Sequence, residues 1–293
     1  MALTGRWPAA AARDKTRQLP LLAYFGHHKC ASTWLNDIAR EICASAGMSY
    51  AHVHSPRKFG DGLGSFVSRN RIDFLTYANA NRTYVEALDD FRAFHVIRDL
   101  RDIVVSSYFS HLHSHPTDDW PELVAHRREL QAVDKDQGIY VVIDFLAGVF
   151  DDIATWDYSD PRVLELKMED VVRAPEELLL KAFGFLGVVD ETRTGLDGCI
   201  ASALSSVKRR RRSLVPFRVM PLPASVVIDT LKRNAFARKT EGRAPGHEKV
   251  DSHYRKGVQG DWVNHFGPGH KSYFKERHGD LLVRLGYEAN LSW

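Results

Sequence analysis

Gly26-His27-His28-Lys29-Cys30-Ala31-Ser32-Thr33-Trp34 joins an apolar run, Leu19–Phe25, to a helix-like run, Leu35–Ala46. Strand, tight loop with a lysine and hydroxyls, then helix is the layout of a phosphate cradle. Backbone N–H groups at a helix start point at an anion, and the helix dipole favours negative charge there. Lys29 adds a mobile point charge, and Ser32 and Thr33 add hydroxyl donors. The loop is not that of the nucleoside triphosphatases, because G-x-x-x-x-G-K-[ST] is absent. Here the lysine precedes the hydroxyl pair and the second glycine is missing. The alternative is a plain helix start capped by Ser32 or Thr33.

Around this loop the first third of the chain alternates short apolar runs with helical patterns. Leu19–Phe25, Met48–His54, Ile72–Tyr77 and Phe91–Ile97 read as strands, and Ser32–Ala46 and Arg101–His113 as helices. Strands separated by helices require crossover connections and a parallel sheet. Pro121–Val133 and Ile139–Trp156 read as long helices, Arg162–Leu166 as a further strand. Pro175–Leu186 reads as a helix with proline in its first turn and Gly187 at its end. Residues 242–269 show little periodicity and are rich in Gly, His and charge, as functional long loops are. Gly60-Asp61-Gly62-Leu63-Gly64 follows no strand directly and reads as a flexible loop, not a dinucleotide fingerprint.

The 293 residues carry 44% hydrophobic and 26% charged side chains and a net charge of +3, which is too small to imply nucleic-acid binding. Three scattered cysteines, Cys30, Cys43 and Cys199, argue against a disulfide framework and for a reducing, cytoplasmic setting. They show no metal-ligand spacing, so no metal is expected. No apolar run approaches the ~18 residues that a membrane span needs. Residues 1–18 read as a flexible tail, leaving 19–293 as one domain. Lys208-Arg209-Arg210-Arg211-Arg212 reads as a solvated loop; a lid over an anion or a contact for an acidic partner are the alternatives.

Two more segments carry chemistry. In Phe94–Tyr108 an apolar strand ends in Arg98-Asp99-Leu100-Arg101-Asp102 and a helix begins at once. Arg98 sits at the carboxyl end of the strand, where open α/β sheets bind ligands. Ser106 lies about two helical turns on and can face the same crevice. A guanidinium fork plus a hydroxyl suits a phosphate. Asp99 and Asp102 fit a helix-start charge network. The third segment, His253-Tyr254-Arg255-Lys256-Gly257-Val258-Gln259-Gly260-Asp261-Trp262, places two cations before a glycine whose backbone can approach an anion closely.

Together the three segments resemble the sulfotransferase family that uses 3′-phosphoadenosine 5′-phosphosulfate (PAPS). Its members carry K-x-G-T-T-W, a strand-to-helix R-x-x-x-x-x-x-x-S, and R-K-G-x-x-G-D-W near the C-terminus. This chain carries Lys29 with Ser32-Thr33-Trp34, Arg98 with Ser106, and Arg255-Lys256-Gly257 with Gly260-Asp261-Trp262. Lys167-Met168-Glu169-Asp170, Pro175 and Phe185-Leu186-Gly187 resemble a further family stretch, and the match looks closer to bacterial members. The resemblance implies an α/β, P-loop-NTPase-like sulfotransferase fold with a parallel β-sheet flanked by helices. It implies that Lys29, Cys30, Ala31, Ser32, Thr33 and Trp34 surround the 5′-phosphosulfate and adenine. Arg98, Ser106, Arg255, Lys256 and Gly257 would hold the 3′-phosphate, and Phe236 would join the cofactor site.

Three departures stand out. Cys30 and Ala31 replace a small residue and a glycine. Met168 replaces a tyrosine. The family's frequent catalytic histidine, in a K-T-H strand end, is not found; the region reads Phe74-Leu75-Thr76-Tyr77-Ala78-Asn79-Ala80-Asn81. Other bases are therefore needed. His52 and His54 lie two apart on one side of a strand, and His28 adjoins Lys29. The expected order is His54, His28, His52, because His54 would sit at a strand end facing the loop. His111, His113 and His115 could line the acceptor pocket, and Tyr77 could support it. The expected activity is sulfuryl transfer from PAPS to a hydroxyl or amine of a small-molecule acceptor. A nucleotide-dependent kinase and a non-catalytic PAPS-binding protein are the rival readings.

Overall fold

The computed structural model describes residues 20–60, 62–118, 120–193 and 221–293. The N-terminal tail, Cys199 and the Lys208–Arg212 run lie outside the described residues. Five strands form a parallel sheet: β1 (Leu21–Gly26), β2 (Tyr50–Val53), β3 (Phe74–Tyr77), β4 (Phe91–Ile97) and β5 (Val163–Lys167), in the order β2-β3-β1-β4-β5. All four pairings are parallel. The expected α/β parallel sheet flanked by helices is therefore observed.

β1 is central, and all six of its residues are buried. A strand covered on both faces reads as continuous apolar sequence, which is why Leu21–Phe25 shows no alternation. Its side chains still part by twos. Leu22 and Tyr24 join Phe94 and Val96 in one layer, while Ala23 and Phe25 join Leu75, Tyr77, Phe91 and Ala93 in the other. Helix α1 (Ser32–Ser45) covers the first layer with Leu35, Ile38, Ala39, Ile42 and Cys43, an i, i+3, i+4, i+7, i+8 stripe. Leu179 and Phe183 of the helix Pro175–Phe185, and Val227 and Leu231 of Ala224–Arg233, close that layer.

A third cluster builds around the helix Leu100–Phe109, the pair Lys135–Phe145 and Ala147–Thr155, and the C-terminal helix Pro268–Arg284. Ile139–Trp156 was expected as one helix. Leu146 breaks it, leaving helical backbone (φ −87, ψ 3) while burying its side chain completely. Packing here overrides local propensity. Two further expectations change. The Leu100 helix runs on as a π turn, Ser110–Ser114, and the Gly60–Gly64 stretch is not all loop, since Leu63 and Gly64 open the helix Leu63–Asn70.

The carboxyl ends of all five strands open into one cleft. Lys29 follows β1, His54 follows β2, Ala78 and Asn79 follow β3, Arg98 follows β4, and Met168 and Glu169 follow β5; all of them line it. The cleft has a volume of about 1420 Å³. Ligand pockets usually span roughly 300–1,000 Å³, so this one has room for two substrates side by side.

Candidate active site

The loop after β1 is held by packing below and left open above. Tyr24 tucks its hydroxyl beneath it, near the Cys30 carbonyl (3.5 Å). A Cβ on Gly26 would lie 2.4 Å from that hydroxyl oxygen, so the glycine is required there. Cys30 is fully buried against Ile97, Leu100 and Val104, and burial pushes its thiol up to about 12. Its side chain is buried in the core and does not line the cleft, so within this loop Cys30 could meet a ligand only through its backbone. Its partners in the loop, Lys29 and Ala31, both take left-handed backbone (φ 61 and 60). Neither is a glycine, so the tertiary contacts must hold this conformation against its cost.

The start of α1 carries no side-chain cap and no acidic residue in its first turn. The plain capped-helix alternative is therefore not what forms. Ser32 Oγ donates to the His27 carbonyl (3.4 Å), and Thr33 Oγ1 lies 2.8 Å from His253 Nε2. Lys29, Ala31, Ser32 and Thr33 line the cleft where the helix begins, and the first N–H groups of a helix have no partner within it. Trp34 lines the cleft too, its indole N–H donating to the Asn234 carbonyl (3.0 Å).

Lys29 pairs with no carboxylate among the described residues. Burial, then Arg98 and Arg255, lower its amine to about 7. Arg98 donates from Nη1 to the Lys29 carbonyl (3.1 Å), tying the β4 end to the loop. Its Nε is buried with no hydrogen-bond partner among the described residues. A buried guanidinium N–H left unpaired is costly, and an anion in the cleft would satisfy it. Ser106 lines the same cleft from the following helix.

Arg255, Lys256 and Gly257 arrive from the far end of the chain. Asp261 organises them: it accepts from Arg255 Nη2 (2.5 Å), Lys256 Nζ (2.6 Å) and Asn264 (2.9 Å). Burial alone would raise this carboxyl, but the hydrogen bonds from Lys256, Asn264 and Arg255 hold it well below the usual carboxylate range. Glu248 is a second partner of Arg255, whose guanidinium also lies over the Phe109 ring (4.4 Å). Gly257 has φ +67, and a Cβ there would meet the Phe236 ring at 2.5 Å. Phe236 and Gly257 thus pack closely at the cleft wall.

Asp102 joins the segment to the sheet. Its carboxylate accepts the backbone N–H of Gly260 (2.7 Å) and of Trp262 (3.0 Å). Trp262 is held in turn by Arg101, whose guanidinium lies 3.8 Å from its ring and 4.5 Å from that of Trp293. Asp99 caps its helix through the Arg101 N–H (2.9 Å) and pairs with the Arg101 side chain. The helix-start reading holds for Asp99. For Asp102 it is incomplete, because the main partners lie 158 and 160 residues away. Sequence reasoning missed these clips, as well as Asp261 and His253; their only signal was an acid inside each motif.

Of the candidate bases, His28, His52 and His54 all line the cleft. His28 Nε2 lies 2.9 Å from His111 Nε2. His52 Nδ1 is engaged by Asn36 and Thr76, each at 3.1 Å. The His52 and His54 rings are 5.8 Å apart, as strand spacing requires. His115 lines the cleft beside Trp120 and Phe145, while His111 is buried behind it. Tyr77 is buried in the core and does not line the cleft, which corrects its support role. No group of His, Cys, Asp or Glu among the described residues is arranged to hold a metal ion. Nor is any described helix long and apolar enough to cross a membrane.

A mouse sulfotransferase, SULT7A1, solved in complex with PAP, superposes with a TM-score of 0.53 at 18% identity, covering 90% of this chain and 84% of that one. The chain has the sulfotransferase fold. Retinol dehydratase in complex with androsterone and the inactive cofactor PAP matches at TM-score 0.48 and 14% identity (89% and 80% covered). The sulfotransferase domain of the Synechococcus PCC 7002 olefin synthase matches at 0.36 and 14% (78% and 98% covered). The fold assignment rests on the mouse structure. No protein-family model and no curated protein matches the sequence significantly.

Proposed function

We propose that this chain is a PAPS-dependent sulfotransferase, transferring a sulfuryl group to a hydroxyl or amine of a small-molecule acceptor. The observation that carries this reading is the meeting of three distant cationic segments in one cleft. Lys29, Arg98 and Arg255–Lys256 belong to different thirds of the chain, yet Lys29 feels both Arg98 and Arg255. Asp261 and Glu248 answer Arg255 and Lys256, but Lys29 has no carboxylate partner and Arg98 Nε no hydrogen-bond partner among the described residues, so the cleft still calls for an anion that reaches both. A nucleotide with phosphate groups at both its 5′ and 3′ positions meets that demand. A triphosphate places its charge along a single tail, which disfavours the kinase reading.

The residues divide the work. The α1 N–H groups, Ser32, Thr33 and Lys29 would hold the 5′-phosphosulfate, and Trp34 and Phe236 would flank the adenine. Arg98 with its unpaired Nε, Ser106, Arg255, Lys256 and the Gly257 N–H would hold the 3′-phosphate. Lys29 would neutralise charge growing on the bridging oxygen of the leaving phosphate. Fixed cations in a cleft walled by protein act at higher strength than in water. Trp120, Phe145 and Val149 line the remaining space and suit an acceptor with an apolar body. Residues 19–293 would act as one domain, since motifs from both ends share one ligand.

The test is a titration of 3′,5′-diphosphoadenosine (PAP) against adenosine 5′-monophosphate. A hydrogen bond to a charged group contributes ~1.5–3 kcal/mol, so PAP should bind at least tenfold more tightly. Arg98→Ala should erase most of that difference. Equal affinities in the wild type would defeat the assignment, and tighter binding of ATP with Mg²⁺ would favour the kinase.

A further inference from the structure

The geometry points to His28, on the phosphate loop itself, as the general base of the transfer, with His111 as the residue that positions it. This rests on the sulfotransferase reading. It also reorders the candidates, because the sequence alone favoured His54.

A general base must reach the proton of an acceptor that lies against the sulfur, and Lys29 marks where the sulfur sits. His28 is its neighbour on the same loop and lines the same cleft. The end of β3 offers Ala78 and Asn79 instead, and neither can take a proton at neutral pH. His52 has its Nδ1 committed to Asn36 and Thr76. His115 has its Nδ1 within 2.8 Å of the Pro116 carbonyl.

The His28 ring is fixed from three sides. Its Nε2 meets His111 Nε2 at 2.9 Å, Trp120 stands edge-on at 5.3 Å, and the His115 ring lies at 5.4 Å. One nitrogen of the contact must carry the proton. His111 Nδ1 is buried with no hydrogen-bond partner among the described residues. The His111 ring is packed by Trp120, Phe145 and His126, with ring centroids at 5.2–5.5 Å. In the tautomer that serves the transfer, His111 accepts on Nε2 from His28 Nε2–H, which leaves His28 Nδ1 as the basic nitrogen.

Burial, followed by His111, Lys29, His115 and His253, holds the His28 imidazole well below its ordinary value. The base is thus in its neutral, proton-accepting form at physiological pH. In the step, the acceptor oxygen forms its bond to sulfur. The bond from sulfur to the bridging oxygen breaks, and its electron pair stays on the 5′-phosphate beside Lys29. The acceptor proton passes to His28 Nδ1, and the resulting cation keeps its Nε2–H bond to His111 until the proton leaves to solvent.

The experiment uses PAPS at mildly alkaline pH with two probe acceptors, 2-naphthol, which must lose a proton, and 4-nitrophenol, which is already largely ionised there. PAP affinity is measured alongside as a check on folding and on the cofactor site. His28→Gln should bind PAP normally, lose about 10²–10⁴-fold in transfer to 2-naphthol, and lose under tenfold with 4-nitrophenol. His111→Leu should show the same acceptor-dependent loss at smaller size, with kcat affected more than KM. His111→Gln, which keeps an acceptor toward His28, should recover part of it. Equal losses with both phenols, no loss with either, or the larger acceptor-dependent loss in His115→Gln would each overturn the assignment. A wild type that binds PAP but transfers to neither phenol also overturns it while leaving the cofactor site standing. A wild type that fails to bind PAP refutes the functional reading itself.

Discussion

Lys29 and Arg255 reach the same cleft on backbone of opposite kinds. Lys29 rides a loop whose underside is core: Cys30 is fully buried, and Gly26 lies against the Tyr24 hydroxyl. No carboxylate among the described residues answers its charge, and its amine falls to about 7. Arg255 and Lys256 sit on a segment with little regular structure, yet both are paired with the buried Asp261, and Asp102 clips the backbone beside them. Packing can hold an unpaired cation only where the backbone is already over-determined. A loop without a core beneath it needs ion pairs to hold its cations. On the proposed function, the bare charge on the packed loop is the one that would act on a developing anion, and the compensated charge on the irregular segment is the one that would bind.

The largest effect should come from the bare charge. Lys29→Ala should lower turnover by ~10²–10³-fold or more while PAP affinity changes less than tenfold. Single-turnover kinetics beside PAP titration measures both. The same lysine sets a pH dependence. Below about 7 it is protonated and attracts the anion; above that it is neutral in the free protein, and a bound phosphosulfate raises its pKa again. PAP binding should therefore weaken as pH rises through and above 7 and should take up a proton, which calorimetry in two buffers detects. Near-normal turnover in Lys29→Ala would break the contrast between the loops.

The clip comes next. Asp102→Ala removes the acceptor of two backbone N–H groups. A bond to a charged acceptor contributes ~1.5–3 kcal/mol, so losing the equivalent of one of the two should lower PAP affinity about 10–100-fold. Turnover at saturating PAPS should fall much less, because Lys29 keeps its own support. Unchanged affinity would mean that the C-terminal segment holds its shape without the sheet.

The smallest effect sharpens the picture at one atom. Gly257→Ala must place a Cβ against the Phe236 ring and keep φ +67. A left-handed alanine costs roughly 1–2 kcal/mol, so PAP affinity should fall about 5–30-fold. Adding Phe236→Leu should return the part due to the clash and leave the backbone part. A neutral single variant would show that the segment relaxes freely.

Much was legible in the chain itself. The buried run Leu21–Phe25 and the α1 stripe are local patterns, and a strand into a lysine–hydroxyl loop into a helix has one sensible layout. The β4 strand, Phe91–Ile97, matches its sequence boundaries, because apolar residues end at a dense charge cluster. What escaped was pairwise and distant. Leu146 breaks a helical pattern because a neighbouring layer takes its side chain. Cys30 shares a motif with ligand-facing residues and still turns inward. Asp102 and Asp261 look like ordinary surface acids until their partners arrive.

The sequence by itself determined the sheet class, the order of its main elements and the three cationic segments that point to an anionic nucleotide. Hydrophobic period and motif spacing act over one or two turns of chain, and those features need nothing longer. Only the tertiary structure decided that His28 meets His111, which acid clips the C-terminal segment, and that all five strand ends open into one cleft. The side-chain contacts among these join residues far apart in sequence, 83 for His28 with His111 and 160 for Asp102 with Trp262. Such contacts are set by layer packing and hydrogen-bond satisfaction, which no local pattern encodes.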